Sequence, residues 1–189
     1  MDVWSLTEKQ NLLELPAYSE DGFIQMVVEI SAGTNIKREY DQIENTFPPD
    51  QINGFDRTIQ FLQYLGNYGF IPSTLMEHAT GGDGDALDVL LLSETLPSGA
   101  IVEIIPIALL KLEDNGEVDN KIVASPVDKS ERVVSAKSYS QLHSDYVGII
   151  DIIRLWFINH KGQDTVKFVG WGDEVSAKKE IDNWLTTDD

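Results

Sequence analysis

A chain of 189 residues with 42% apolar side chains is long enough to bury one sizeable core, so a single domain over residues 1–189 is expected. Its 32 acidic residues against 14 basic ones leave a net charge of −18, which argues against nucleic acid and anionic membranes as partners, since both need a basic patch. Cysteine is absent, which excludes disulfides, thiolate metal sites and cysteine nucleophiles.

The first residues, MDVWSLTEKQNLLELPAY, lack a basic start followed by an apolar stretch, so no signal peptide is expected. FIQMVVEI (23–30) is apolar and β-branched and reads as a strand, leaving residues 1–22 as an N-terminal extension. KREYDQI (37–43) alternates and reads as a second strand. PPDQINGFDR (48–57) carries Pro-Pro and Asn-Gly and reads as a hairpin or surface loop. QYLGNYGFIP (63–72), aromatic with two glycines, reads as irregular. LDVLLLS and AIVEIIPIALLKL (100–112) read as strands, with Pro106 marking a bulge or an edge. DNGE (114–117) is a turn, and KIVASPV (121–127) completes a hairpin.

The apolar period then changes. In SDYVGIIDIIRLWFINHK, Ile149, Ile152, Ile153, Trp156 and Phe157 recur at helical steps, with Ser144 or Asp145 as the expected cap. TVKFVGW (165–171) is a last strand, and Asp173 caps a final helix with Ile181, Trp184 and Leu185 facing inward. Short-turned strands followed by two late helices predict a mainly β fold, a small barrel with helices packed outside it over residues 23–185. The longest apolar runs are too short or interrupted to span a bilayer, so a cytoplasmic protein is expected.

The chemistry lies in GGDGDALDVLLLS (81–93), where Asp83, Asp85 and Asp88 precede a run read as buried strand. Unpaired carboxylates are costly to bury, so something must neutralise them. An EF-hand counted from Asp83 fails because Leu87 and Asp88 take positions that need an oxygen ligand and a glycine. A P-loop fails because no Gly-Lys-Ser/Thr follows. His143, Ser144 and Asp145 are chain neighbours that point different ways, so a hydrolase triad is not expected there, and His78 reads as a surface residue. On an extended strand Asp83 and Asp85 share one face, roughly 7 Å apart, and a bend permitted by the glycines lets Asp88 join them. Oxygen-only ligands of this kind select Mg²⁺, Mn²⁺ or Ca²⁺.

DGDALD before an apolar run resembles the signature of the family I soluble inorganic pyrophosphatases. Further segments match in the same order from about residue 23 to 181: VVEI, IKRE, FDR, YLGNYGFIP, LLKLEDNGEVDNKIVA, NHK and VGW. The resemblance implies an OB-like five-stranded barrel and Mg²⁺-dependent hydrolysis of diphosphate to two phosphates, with Mn²⁺ as a substitute and Ca²⁺ as an inhibitor. It implies Asp83, Asp85, Asp88, Asp114 and Asp119 as metal ligands, with Asp85 also the group that takes the proton from the attacking water. Glu29 and Glu39 would hold metal-bound waters or the metal arriving with substrate. Lys37, Arg57, Tyr64, Tyr68, Lys121 and Lys161 would grip phosphate, Lys37, Arg57 and Tyr68 taking part in the chemistry. His160 stands where the family carries a phosphate-binding tyrosine, Ala86 where it has Pro or Glu, and Asn115 at a position usually acidic. A homo-oligomer, with a hexamer as the bacterial form, is implied as well. Competing readings are an OB-like barrel kept as a metal- or phosphate-binding assembly module, and a phosphohydrolase shifted to tripolyphosphate.

Overall fold

FIQMVVEI folds as the strand its composition predicts, β1 (Ile24–Ile30), buried along almost its whole length. In the computed structural model, which describes residues 10–162 and 165–186, β1 pairs antiparallel with β4 (Asn67–Phe70) on one side and β6 (Ile101–Asp114) on the other. β4 continues to β5 (Asp88–Leu91), β5 runs parallel to β8 (Lys121–Pro126), and β8 returns antiparallel to β6. These pairings close a ring of five strands, the expected OB-like barrel, and closure removes the free edges an open sheet would expose. β7 (Glu117–Val118) and β9 (Val166–Gly172) extend the sheet along β6. Asn53-Gly54 turns a separate hairpin, β2 (Gln51–Ile52) to β3 (Phe55–Asp56), both turn residues having positive φ as that dipeptide predicts. Pro106 falls at a register shift in the pairing of β6 with β8, the first of the two readings, a bulge or an edge, that it allowed.

The leucine run is explained by burial on both faces. Val89 and Leu91 join one apolar cluster with Met26, Ile104 and Ile122, while Leu90 and Leu92 join a second with Leu110 and Val123. Helix α3 (Glu174–Trp184) packs Ala177 and Ile181 on the first cluster, with Trp184 and Leu185 against it, and Asp173 caps it by accepting from the Ser176 amide (2.8 Å). Leu142, Ile153, Trp156 and Phe157 of the preceding helices pack on the second.

Four expectations are corrected. Residues 37–43 form no regular strand; isolated bridges join Ile36 to Thr58, Arg38 to Pro49 and Asp41 to Thr46, because Pro48 and Pro49 supply no N–H to a ladder. Residues 67–70 are a barrel strand rather than irregular: a Cβ at Gly69 would collide with the Val27 carbonyl, so this glycine marks close backbone approach. Among the described residues there are three α-helices, since the segment read as one helix from Ser144 contains the end of α1 (Tyr139–Asp145), capped by Ser138, and the whole of α2 (Ile149–Asn159). Gly148, at φ 86°, breaks them, and the Ser144 hydroxyl instead bonds Asp145 (2.7 Å). Finally, Ile152 faces solvent at 53% exposure, and Ile150 takes the inward place.

Of the N-terminal extension, residues 1–9, where half of the stretch read for a signal sequence falls, lie outside the described residues. Leu12 and Ala17 are buried against the barrel. Among the described residues no helix is long and apolar enough to cross a membrane.

Candidate active site

At one mouth of the ring a cavity of about 300 Å³ collects side chains from β1, β4, β5, β8 and the segments beside them. β1 sends in Glu29 from a bulge, where the register with β4 slips between Val28 and Ile30. A bulge re-aims one side chain without breaking the strand, and Gly69 opposite lets the backbone come close enough for it. The irregular ribbon after β1 supplies Lys37 and Glu39, which pair with each other. Tyr64 and Tyr68 form a wall, their rings 5.5 Å apart, with Tyr64 resting on Trp156 at 4.9 Å. Asp88 opens β5, Lys121 opens β8 directly beside it in the parallel register, and Asp119 precedes Lys121. Lys161, after α2, closes the ring of charge.

Asp83 and Asp85 line the same cavity by a different route from the one expected. They stand on a loop: Gly84 between them has φ 88°, and the Asp85 amide donates to Asp83 Oδ1 (3.1 Å). The strand starts only at Asp88. Left-handed backbone at Gly84 is open to glycine at no steric cost, which is why the loop can turn both carboxylates inward.

The cavity's charges are heavily coupled. Lys121, 3% exposed, bonds both Asp88 and Asp119. Burial pulls its pKa down, but the two carboxylates more than reverse this and hold it charged, above the ordinary lysine value. The protein therefore carries part of the counter-charge for its aspartates itself. It also explains why, among the described residues, no three carboxylate or imidazole groups stand close enough to close round an ion as they are: an ammonium sits between two of them. Asp119 Oδ2 is buried without a hydrogen-bond partner, with the Lys161 ammonium 4.0 Å away. A buried carboxylate oxygen left over in an all-oxygen set is the free valence a hard divalent cation fits.

Burial also pushes Glu29 up to about 8, with the Asp88 charge adding to the shift and the Tyr40 amide, donating at 2.8 Å, opposing it. Asp83 is raised by burial, and Asp85 by burial and then by the charges of Asp83 and Asp88. Tyr64 and Tyr68 are raised by burial and by Asp88, so both keep their phenolic protons for donation.

Three expected site residues are not in the cavity wall. Arg57 sits at the rim, bonded to Asp50 (3.1 Å), which also faces Lys37 at 3.8 Å. Asp114 binds Lys161 (2.6 Å) just outside. His160 turns away: its Nδ1 donates to the Phe157 carbonyl (2.7 Å) and its ring stacks on Trp156, so it does not reach the place expected for a phosphate ligand. Burial lowers its pKa to about 4, Lys161 adding to the effect while the bond to Phe157 opposes it. Sequence reasoning missed Asp50 and Tyr40. Neither belongs to a motif, and both act through residues that fold next to them.

A closed OB-like barrel with carboxylates, ammonium groups and tyrosines facing one another across its mouth has the lining that a phosphoryl-transfer site for a polyanion needs. The inorganic pyrophosphatase family model matches residues 26–187. The inorganic pyrophosphatase of Neisseria meningitidis serogroup B is 36% identical over 172 residues, covering 90% of this chain and 92% of that protein. That of Sulfolobus acidocaldarius is 34% identical over 170 residues, 88% of this chain and 91% of its own length. The crystal structure of the Thermus thermophilus inorganic pyrophosphatase superposes with a TM-score of 0.78 at 29% identity, over 93% of this chain and 97% of that one. The chain belongs to the inorganic pyrophosphatase family.

Proposed function

We propose that this protein hydrolyses inorganic diphosphate to two phosphates with Mg²⁺. The observation that carries the reading is the meeting, in one cavity, of the DGDALD carboxylates with Lys37, Lys121, Lys161, Tyr64 and Tyr68. Asp83, Asp88 and Asp119 would hold the ions, with Asp114 contributing from the rim and Glu29 and Glu39 through water or the ion that travels with substrate. When bound, Mg²⁺ supplies counter-charge for diphosphate and acidifies a water.

The chain's own side chains do the rest. Asp85, with its raised pKa, accepts the proton of the attacking water. Lys121 and Lys161 turn from their carboxylates to phosphate oxygens as charge develops there. Lys37 and Arg57, braced by Asp50, grip the other phosphate, and Tyr68 and Tyr64 donate hydroxyl protons into the same space. A cytoplasmic location fits this reading. A homo-oligomer, a hexamer first, belongs to the same reading, and Ile152 and Leu155, 53% and 44% exposed on α2, are apolar side chains that an interface there would cover.

Purified protein with millimolar Mg²⁺ should release phosphate from diphosphate, lose the activity to chelator and regain it on adding Mg²⁺ back. Mn²⁺ should substitute, whereas Ca²⁺, which tolerates looser coordination, should inhibit. Release no faster than in buffer would end the enzyme reading and favour a binding module, and a faster release from tripolyphosphate would favour the shifted substrate.

His160 supplies a check on which groups bind substrate. His160→Phe should leave KM for diphosphate unchanged from about pH 6 to 8.5, because the ring is neutral there and faces Phe157. Stability should change instead. The folded pKa is depressed, so the stabilisation is present above the unfolded value and is lost as pH falls towards about 4. Acid melts of His160→Phe should therefore decline less steeply below about pH 6.5 than wild type. A KM that rises in the mutant would return His160 to the substrate site.

A further inference from the structure

The loop that presents Asp83 and Asp85 is closed at its base by paired backbone bonds, Met76 N–H to the Asp85 carbonyl (2.8 Å) and Gly84 N–H to the Met76 carbonyl (2.8 Å). Eight residues lie between Met76 and Asp85, among them three glycines, of which Gly81 and Gly84 have positive φ. Such a sequence has little intrinsic preference for one shape. One side chain, His78, lies across it from the exposed side. The Nδ1–H of His78 donates to the Gly82 carbonyl (3.0 Å), which fixes the proton on Nδ1. The other edge of the ring lies on Gly84, so that a Cβ there would be 2.5 Å from Nε2. The ring thus touches the residue on each side of Asp83. Outside the loop, Glu117 stands 3.7 Å from Nδ1, and the Val118 amide donates to the Gly81 carbonyl (2.8 Å). That last bond ties the loop to the turn leading into Asp119.

We propose that His78 is a positioning residue: it is the brace that holds Gly82 and Gly84, and so aims the Asp83 carboxylate between them into the cavity. It touches neither substrate nor the reacting atoms. The side chain is largely exposed, at 69%, so its removal costs little core packing. It acts instead on the entropy of the acidic loop: a loop that wanders must be ordered each time a cation is bound, and the cost appears as lost affinity.

This inference rests on the reading of Asp83 as a metal ligand, so the test measures metal uptake and not only turnover. The probe is Mn²⁺ alone, titrated calorimetrically into the full chain without substrate. His78→Ala should weaken the tightest Mn²⁺ site by about ten-fold, the lower range for losing a group that orients a metal ligand. Its melting temperature in chelator should stay within about 2 °C of wild type, as for a surface substitution. The Mg²⁺ concentration giving half-maximal activity should rise by a similar factor, with a much smaller change in kcat at saturating Mg²⁺. His78→Asn keeps a donor near the Nδ1 position and His78→Phe keeps the ring against Gly84, so each should recover part of the affinity. Wild-type affinity in all three variants would overturn the inference while leaving the metal reading intact. A wild type that takes up no Mn²⁺ would overturn both.

Discussion

Asp85→Asn should reduce turnover by about 10²-fold or more, the range expected for removal of a general base, while the protein stays folded and still binds Mn²⁺. The amide has the shape of the carboxylate and cannot accept the proton. Asp85 is well placed for that loss to be specific. It faces the cavity from the exposed side of its loop, and its backbone alone fastens the loop, through its amide to Asp83 Oδ1 and its carbonyl to the Met76 amide. Burial and the charges of Asp83 and Asp88 raise its pKa, moving it towards the range where a carboxylate can hold a water's proton. The measurement is single-turnover phosphate release at saturating Mg²⁺, with circular dichroism and Mn²⁺ titration beside it. Turnover within a few-fold of wild type would move the base elsewhere, with Glu29 the next group to test.

Lys121→Met should destabilise the metal-free protein by about 3 kcal/mol or more, as does breaking a buried ion pair from one side. For a chain of this size that corresponds to a fall in Tm of roughly 6–12 °C. The cause is local: Lys121 is 3% exposed and Asp119 is 5% exposed, so removal of the ammonium leaves Asp88 unpaired beside Asp119, whose one remaining cation is Lys161 at 4.0 Å. Mg²⁺ should restore most of the loss, because a divalent cation bound by the same carboxylates supplies the missing charge and stabilises by linkage. Turnover should nonetheless remain low, since the phosphate contact is gone. Melts in chelator and in Mg²⁺ test both parts. A Lys121→Met protein that melts with wild type in chelator would mean that the buried triad contributes nothing. One that Mg²⁺ does not rescue would mean that these carboxylates do not bind the ion.

Much of the site was legible because its residues travel in short motifs. DGDALD carries three of the carboxylates in one stretch, and NYGF, FDR and NHK each bring a matching partner in register. The aromatic pair Tyr64 and Tyr68 is likewise local, one helical turn's worth of sequence apart yet on the same cavity wall. Residues acting through other residues left no such trace. Asp50 bridges Lys37 and Arg57 only because two exposed segments fold together. His78 reads as surface in sequence and is exposed in the fold, at 69%, but nothing in EHATGG announces that the imidazole will turn back onto Gly84.

By itself the sequence determined the strands whose burial pattern is repetitive, the Asn-Gly hairpin, the bulge at Pro106 and the Asp173 cap, because each depends on a few neighbouring residues. It also determined which kinds of side chain were available for chemistry. Tertiary structure alone decided how they are used. Gly69 became a strand residue because the β1 backbone passes against it, and Gly148, at φ 86°, became the break between α1 and α2. It set Lys121 between Asp88 and Asp119, although that lysine is 33 residues from one and 2 from the other. It turned His160 towards Phe157 and away from the cavity that Lys161, the next residue, lines. The physical reason is the same in each case. A dihedral preference or an apolar period is a property of a few consecutive residues, whereas an ion pair, a desolvated imidazole or a close backbone approach exists only once distant segments have been brought together.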